Sequence, residues 1–225
     1  MNAVKILYYI TFLFALGAFI MLSMSLPTEY MVTATIVNSG GQTTGSINFG
    51  IFRGSKLLTT DDAGASEVKE FLVFDEYNDS LHPLIVYIAI LTTCFAVVSA
   101  LIATILSFIN IFKNEKFSSA VGPMALGFYN MLGAILSSVT LILLTSVLFG
   151  TFDGEVTSTA EQNLGYSSTG VALGYSFWLQ MASIALLSLN CGTIILAQSY
   201  KNLGSDKSAA AIPRLTRSTK TRDVL

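Results

Sequence analysis

The sequence predicts an all-α membrane protein: a left-handed four-helix transmembrane bundle with a small antiparallel β-sheet on its extracellular side. Three observations predict it. Residues 6–28, 80–112, 117–152 and 162–200 contain no Asp, Glu, Lys or Arg. Each stretch holds an apolar run long enough to cross a bilayer, about 20 residues at ~1.5 Å of rise each. Charged residues make up only 12% of the 225, and hydrophobic residues reach 52%. Finally, the charges sort by loop. Nine basic residues (Lys5, Lys113, Lys116, Lys201, Lys207, Arg214, Arg217, Lys220 and Arg222) fall on one side of the predicted spans. Eleven of the acids fall on the other, with Arg53, Lys56 and Lys69. Basic residues near span ends are retained in the cytoplasm, so both termini are expected there, in the plasma membrane.

The first span is expected over residues 4–26 and ends at Pro27, which cannot continue a helix. A cleavable signal peptide is the competing reading, with Lys5 as its basic end and Ser23-Met24-Ser25 as the cleavage site. Its apolar run is longer than the ~7–15 residues of such a segment. The first outer loop, 27–83, is too long for a hairpin. Residues 30–37 are rich in β-branched side chains, Ser39-Gly40-Gly41-Gln42 is a turn signal, and 43–52 can pair back as a second strand. Residues 59–64 read as an exposed loop, and 67–74 fit either a short helix or a third strand. Further spans are expected over 84–112, 123–149 and 174–199, with a second outer loop over 150–173. The polar, basic tail 201–225 has the composition of a disordered segment.

Small residues recur inside the spans: Ser99, Ala103 and Ser107; Gly133 with Ser137; Ala134 with Ser138; Ser188 with Gly192. They let helix backbones approach in lipid. The polar residues within the spans, Asn130, Gln180 and Asn190, read as hydrogen-bonding glue between helices, since no ionisable group accompanies them to mark an ion path. Cys94 and Cys191 lie within spans and read as small packing residues. No cysteine lies in an outer loop, so no disulfide staples those loops.

No catalytic constellation is present. His82, the one histidine, stands at the membrane surface away from both cysteines. Asp61-Asp62 and Asp75-Glu76 lack the alternating ligand spacing of a calcium loop and read as solvated faces. No phosphate cradle or nucleophile motif occurs. The sequence therefore points away from an enzyme, a resident cofactor or metal, and a nucleic-acid partner. Asn78-Asp79-Ser80 is an N-glycosylation sequon on the outer side. The C-terminus Asp223-Val224-Leu225 matches the acidic class of PDZ ligand, with an apolar last residue and a selective residue two before it. Upstream, Arg214, Arg217, Lys220 and Arg222 alternate with Thr216, Ser218, Thr219 and Thr221. Such a segment is held to anionic lipid by ~1 kcal/mol per basic residue, and phosphorylation of its hydroxyls would weaken the hold.

Three local motifs then carry a family resemblance. Phe49-Gly50-Ile51-Phe52-Arg53-Gly54 is similar to the Tyr-Gly-Leu-Phe-His-Gly segment of the clarins. Val121-Gly122-Pro123-Met124-Ala125-Leu126-Gly127-Phe128-Tyr129 resembles the clarin motif that opens the third span, and Tyr175-Ser176-Phe177-Trp178 the Ser-Phe-Trp that opens the fourth. The chain thus resembles the clarins within the broad claudin-like tetraspan group. The positions that carry this are Gly50, Phe52, Gly122, Pro123, Phe177 and Trp178. The first outer loop departs from claudins in lacking their paired cysteines and tryptophan, so a paracellular seal does not follow. The resemblance implies a non-enzymatic tetraspan supporting sensory-cell membrane complexes, such as mechanotransduction apparatus, synapse or junction. Two other classes stay open: an auxiliary subunit of an ion channel, and a claudin-like adhesion protein. The implied partners are membrane lipids, integral-membrane proteins including a channel complex, and a PDZ-domain scaffold.

Overall fold

The computed structural model describes residues 3–59, 66–76, 83–112, 122–146, 156–157 and 159–219. Four long helices carry the membrane segments: α1 (Ala3–Ser25), α3 (Pro83–Phe112), α4 (Pro123–Ser146) and α6 (Tyr175–Thr219). Each contains a stretch long and apolar enough to span a bilayer, namely Val4–Ser25, Leu84–Phe112, Pro123–Ser146 and Tyr175–Asn202. α1 packs on α3 and α6, and α4 packs on the same two helices, so α1 and α4 sit diagonally.

The buried positions explain this packing. On α1 they are Thr11, Ala15, Ala18, Leu22 and Ser25; on α4 they are Leu126, Asn130, Gly133, Ser137 and Thr140. Both sets alternate steps of four and three residues. α3 follows the same rhythm through Ala89, Thr93, Ala96, Ala100, Ala103 and Ser107, and α6 through Ser176, Gln180, Ser183, Leu187, Asn190 and Ile194. A seam of mean period ~3.5 drifts around a straight helix, and helices follow it by a left-handed supercoil. Most seam residues are Ala, Gly, Ser or Thr, which bring the backbones close where lipid gives no hydrophobic drive to associate.

One register joins α4 to α6. Asn190 donates its amide to Asn130 at 2.8 Å, Gly133 lies against Leu187, and Leu126 shares a cluster with Ile194. The same antiparallel register sets Ser137 level with Ser183, and Thr140 level with Gln180. Thr140 also meets Thr92 and Thr93 of α3, at 2.7 and 3.1 Å.

The sheet is larger than the sequence reading expects. Five antiparallel strands run in the order β4-β3-β2-β1-β5, where β1 is Val32–Val37, β2 Thr43–Phe49, β3 Arg53–Thr59, β4 Ser66–Leu72 and β5 Ser167–Leu173. The second expected strand ends early, because the chain turns at Gly50–Phe52 and returns as β3. The undecided segment 67–74 proves to be both alternatives: β4, then the single turn α2 (Val73–Glu76). β5 comes from the second outer loop and pairs with β1, so the sheet draws on both outer loops. Alternate residues of β1 point inward, as strand geometry requires; Val32, Ala34 and Ile36 join Ile47, Phe71 and Val73 over Val86 of α3 and Leu141 of α4. Full burial of Ile36 and Ile47 contributes roughly 1.5–3 kcal/mol each.

At the other end α6 continues to Thr219, where the sequence reading expects a disordered tail. An existing helix extends without a new nucleus, and Ala209, Ala210 and Ala211 are the best helix formers. Residues 60–64 of the expected exposed loop lie outside the described residues.

The Asn130–Asn190 bond yields a measurable coupling. A double-mutant cycle of Asn130→Leu and Asn190→Leu, followed by reversible unfolding in bicelles, is expected to give about 0.6 kcal/mol and no more than ~1.7. A coupling indistinguishable from zero would mean the bond adds nothing to the α4–α6 register.

Candidate functional site: the outer sheet and its joint to the bundle

The joint is built from the stretch between α1 and β1. Thr28 donates its hydroxyl to the Ser25 carbonyl at 2.9 Å, which leaves the Ser176 hydroxyl at the head of α6 to donate to Thr28. Ser176 N–H bonds the Tyr30 carbonyl at 3.1 Å. Met31 donates to Phe49 at 3.0 Å and accepts from Gly174 at 2.9 Å. The backbone is gripped from both sides. A Cβ at Gly50 would overlap the Thr28 carbonyl, and one at Gly174 would overlap the Tyr30 carbonyl. Tyr30 then stacks on Tyr175, ring centroids 5.2 Å apart and 27° from parallel. The end of α1, the head of α6 and the ends of β2 and β5 thus meet in one hydrogen-bonded knot.

A buried ion pair fastens the two outer loops. Gly54, Lys56 and Leu58 take the inward positions of β3, and Lys56 is 1% exposed. Its ammonium lies 2.7 Å from Glu161 Oε1 and 5.0 Å from the centre of the Phe71 ring. Glu161 sits on the single turn α5 (Thr159–Asn163), whose end is closed by Leu164 and Tyr166 N–H groups donating to the Glu161 carbonyl at 3.0 and 3.1 Å. Two charges withdrawn from water need each other: their mutual attraction offsets the desolvation only while both are present. The ring face adds an attraction for the cation. Lys56 comes from the first outer loop and Glu161 from the second, so the pair makes a cross-link that the cysteine-free loops could not make covalently.

Inside the bundle the chemistry is neutral. The Asn130 amide donates to Leu126 O at 2.7 Å while its oxygen receives Asn190. Gln180 is fully buried, and neither atom of its amide has a hydrogen-bond partner; the Ser137 hydroxyl is likewise unpartnered. Among the described residues no group of three His, Cys, Asp or Glu could hold a metal ion. A groove of about 590 Å³ runs down the outer face of α4 and α6, lined by Ala134, Ile135, Ser138, Ile184, Ser188 and Cys191 among others.

Four membrane helices, a sheet mounted on one end of them, and no matching protein-family model leave pairwise similarity to place the chain. It is 28% identical to human (Homo sapiens) Clarin-3 over 197 residues, covering 85% of each sequence. The chain is thus similar to a clarin along most of its length. It is a multi-pass membrane protein of the claudin-like tetraspan fold.

The clarin motif positions fall where the structure is tightest. Gly50 forms one jaw of the joint. Phe52 accepts the Val73 N–H at 3.1 Å, which ties β4 and α2 to the β2–β3 corner. Gly122 and Pro123 start α4, the Gly122 carbonyl taking the Leu126 N–H at 3.3 Å. Phe177 packs beneath the sheet, and Trp178 meets it edge-on, 5.5 Å away, while itself 59% exposed. That position suits the aromatic belt of a membrane interface. Cys191 is half-buried, but Cys94 is exposed on the bundle's outer face, where a thiol meets lipid in place of the packing expected of it. The PDZ-ligand residues Asp223, Val224 and Leu225, the sequon at Asn78, and His82, Asp61 and Asp62 lie outside the described residues. Sequence reasoning missed β5, and with it the Lys56–Glu161 pair. Only the inward parity of Lys56 in a strand alternating with Gly54 and Leu58 could have signalled the pair.

Two substitutions test this site. Gly50→Ala is expected to lower stability by about 1–3 kcal/mol by forcing Thr28 aside, whereas Gly127→Ala, inside α4 with open space around it, should not lower the melting temperature and should raise it slightly. Glu161→Ala removes the carboxylate that lies 2.7 Å from the buried ammonium. A loss of ~3–5 kcal/mol is expected, read as faster proteolysis of the outer loops, with most of it recovered in Lys56→Met/Glu161→Leu. Wild-type resistance in Glu161→Ala would show that the pair does not hold the loops together.

Proposed function

We propose that this protein is a clarin, a non-enzymatic tetraspan of the plasma membrane that organises a membrane-protein complex in sensory cells, in a mechanotransduction, synaptic or junctional setting. The observation that carries this reading is the five-stranded sheet, cross-linked by Lys56–Glu161 and tied to α1 and α6 at one joint. Such an arrangement supports binding, since it presents a fixed surface on a packed and neutral bundle. The similarity to Clarin-3 supports the setting. In this reading both termini face the cytosol, in keeping with the basic residues beside the spans. The sheet then faces outward and engages integral-membrane partners. The tail offers Asp223-Val224-Leu225 to a PDZ-domain scaffold.

A second reading, the auxiliary subunit of an ion channel, draws on the groove between α4 and α6. Its small side chains Ala134, Ser138 and Ser188 would let a partner's transmembrane helix approach closely.

Affinity purification from mild detergent with mass spectrometry, comparing the full chain with one lacking residues 223–225, tests both. A membrane-protein complex common to the two samples, and a PDZ scaffold lost with the truncation, is the expected result. Identical protein lists would remove the PDZ assignment. Recovery of a pore-forming channel as the main partner would favour the auxiliary-subunit reading, and clustering of cells expressing this protein alone would favour adhesion.

A further inference from the structure

A cleft of about 710 Å³ opens where α1 leaves the membrane on the sheet side, bounded by Ser23, Leu26, Pro27, Phe52, Arg53 and Leu72. The apolar membrane segment of α1 ends at Ser25, so the cleft adjoins the sheet-side end of that span. Below it, Ile20 and Met24 are exposed on α1, and at its edge Leu72 is 51% exposed. Arg53 stands at the β2–β3 corner, exposed. Among the described residues no ion pair holds its guanidinium. The cleft therefore places a permanently charged, planar donor above apolar walls that continue along α1. An aqueous surface gives no reason for an exposed Leu72 beside such a cation. A phosphodiester with acyl chains beneath it matches both features, because guanidinium binds phosphate oxygens through two parallel hydrogen bonds.

We propose that this cleft is a phospholipid site: Arg53 binds the phosphate, and the glycerol and upper acyl chain lie against Leu26, Phe52 and Leu72. The charge balance of the two loops, read from the sequence, selects among headgroups. Those loops carry eleven acids against Arg53, Lys56 and Lys69, and Lys56 meets Glu161. A net-anionic headgroup meets that surplus of negative charge. A zwitterionic one sets its own cation against it, so phosphatidylcholine is the favoured class.

The test uses the full chain reconstituted in nanodiscs of phosphatidylcholine, phosphatidylglycerol or diacylglycerol, then extracted into detergent, with retained lipid counted by native mass spectrometry. Wild type should keep one phosphatidylcholine, keep phosphatidylglycerol less well, and keep no diacylglycerol, which lacks the phosphate. R53Q should reduce retention roughly tenfold, the loss of one charge-assisted contact, and Arg53→Lys should fall between. Leu72→Trp fills the cleft with Arg53 intact and should abolish retention, which keeps the test independent of any effect of R53Q on folding. Inorganic phosphate should not displace the lipid. Undiminished retention in R53Q or in Leu72→Trp, equal retention of diacylglycerol, or displacement by phosphate would overturn the site. Preference for phosphatidylglycerol would overturn the headgroup assignment.

Discussion

Four residues between α1 and β1, Thr28 to Met31, carry the mechanical continuity of this protein, and they have no slack. Their carbonyls are pressed by Gly50 on one side and Gly174 on the other, and their polar groups are used by Ser25, Phe49, Gly174 and Ser176. A looser connection would have left buried backbone groups unpaired, each a penalty of about 1–3 kcal/mol. With the joint closed, the sheet sits over the ends of α3 and α4, and β1 becomes the strand onto which both β2 and β5 add. The order of the sheet and the second loop's place in it both follow from this joint.

The bundle beneath is held by different physics. Lipid tails are as apolar as leucine, so the helices gain little from burying hydrocarbon against one another. They gain from close backbones and from a few hydrogen bonds at fixed heights, Asn130 with Asn190 and Thr140 with Thr92 and Thr93. Each such bond is weak. Their value lies in register, because an amide placed opposite an aliphatic residue in hydrocarbon loses its partner altogether.

The spans were legible because a membrane segment writes itself in local composition: absent charge over about 20 residues needs no knowledge of the tertiary fold. β1 and β2 were legible for a similar reason, through β-branched residues flanking Ser39-Gly40-Gly41-Gln42. β5 was not. Ser167–Leu173 has no apolar alternation, since its strand is made by pairing with β1 and is exposed along much of its length. The Lys56–Glu161 pair was hidden more deeply. A lysine in a polar outer loop reads as solvated, and the carboxylate that meets it in the fold stands 105 positions away. Burial of a charge is a property of two segments, and its one mark in the first alone is the inward parity of Lys56 between Gly54 and Leu58. The motif positions Gly50 and Phe177 were found by resemblance, and the structure supplies their reason in steric closeness and in packing beneath the sheet.

The alternation of three and four along α4 and α6 has a consequence for motion. Sliding α6 along α4 by one heptad would set Asn130 against Ser183 or Ala197, and Gly133 against Gln180 or Ile194. Every such shift breaks the Asn–Asn bond and puts a branched side chain or an amide where the fit was made for another. The α4–α6 register therefore opposes piston-like displacement of one helix past the other. The joint adds a second constraint at the sheet end, since the close approaches of Gly50 and Gly174 fix the strands to α1 and α6 together.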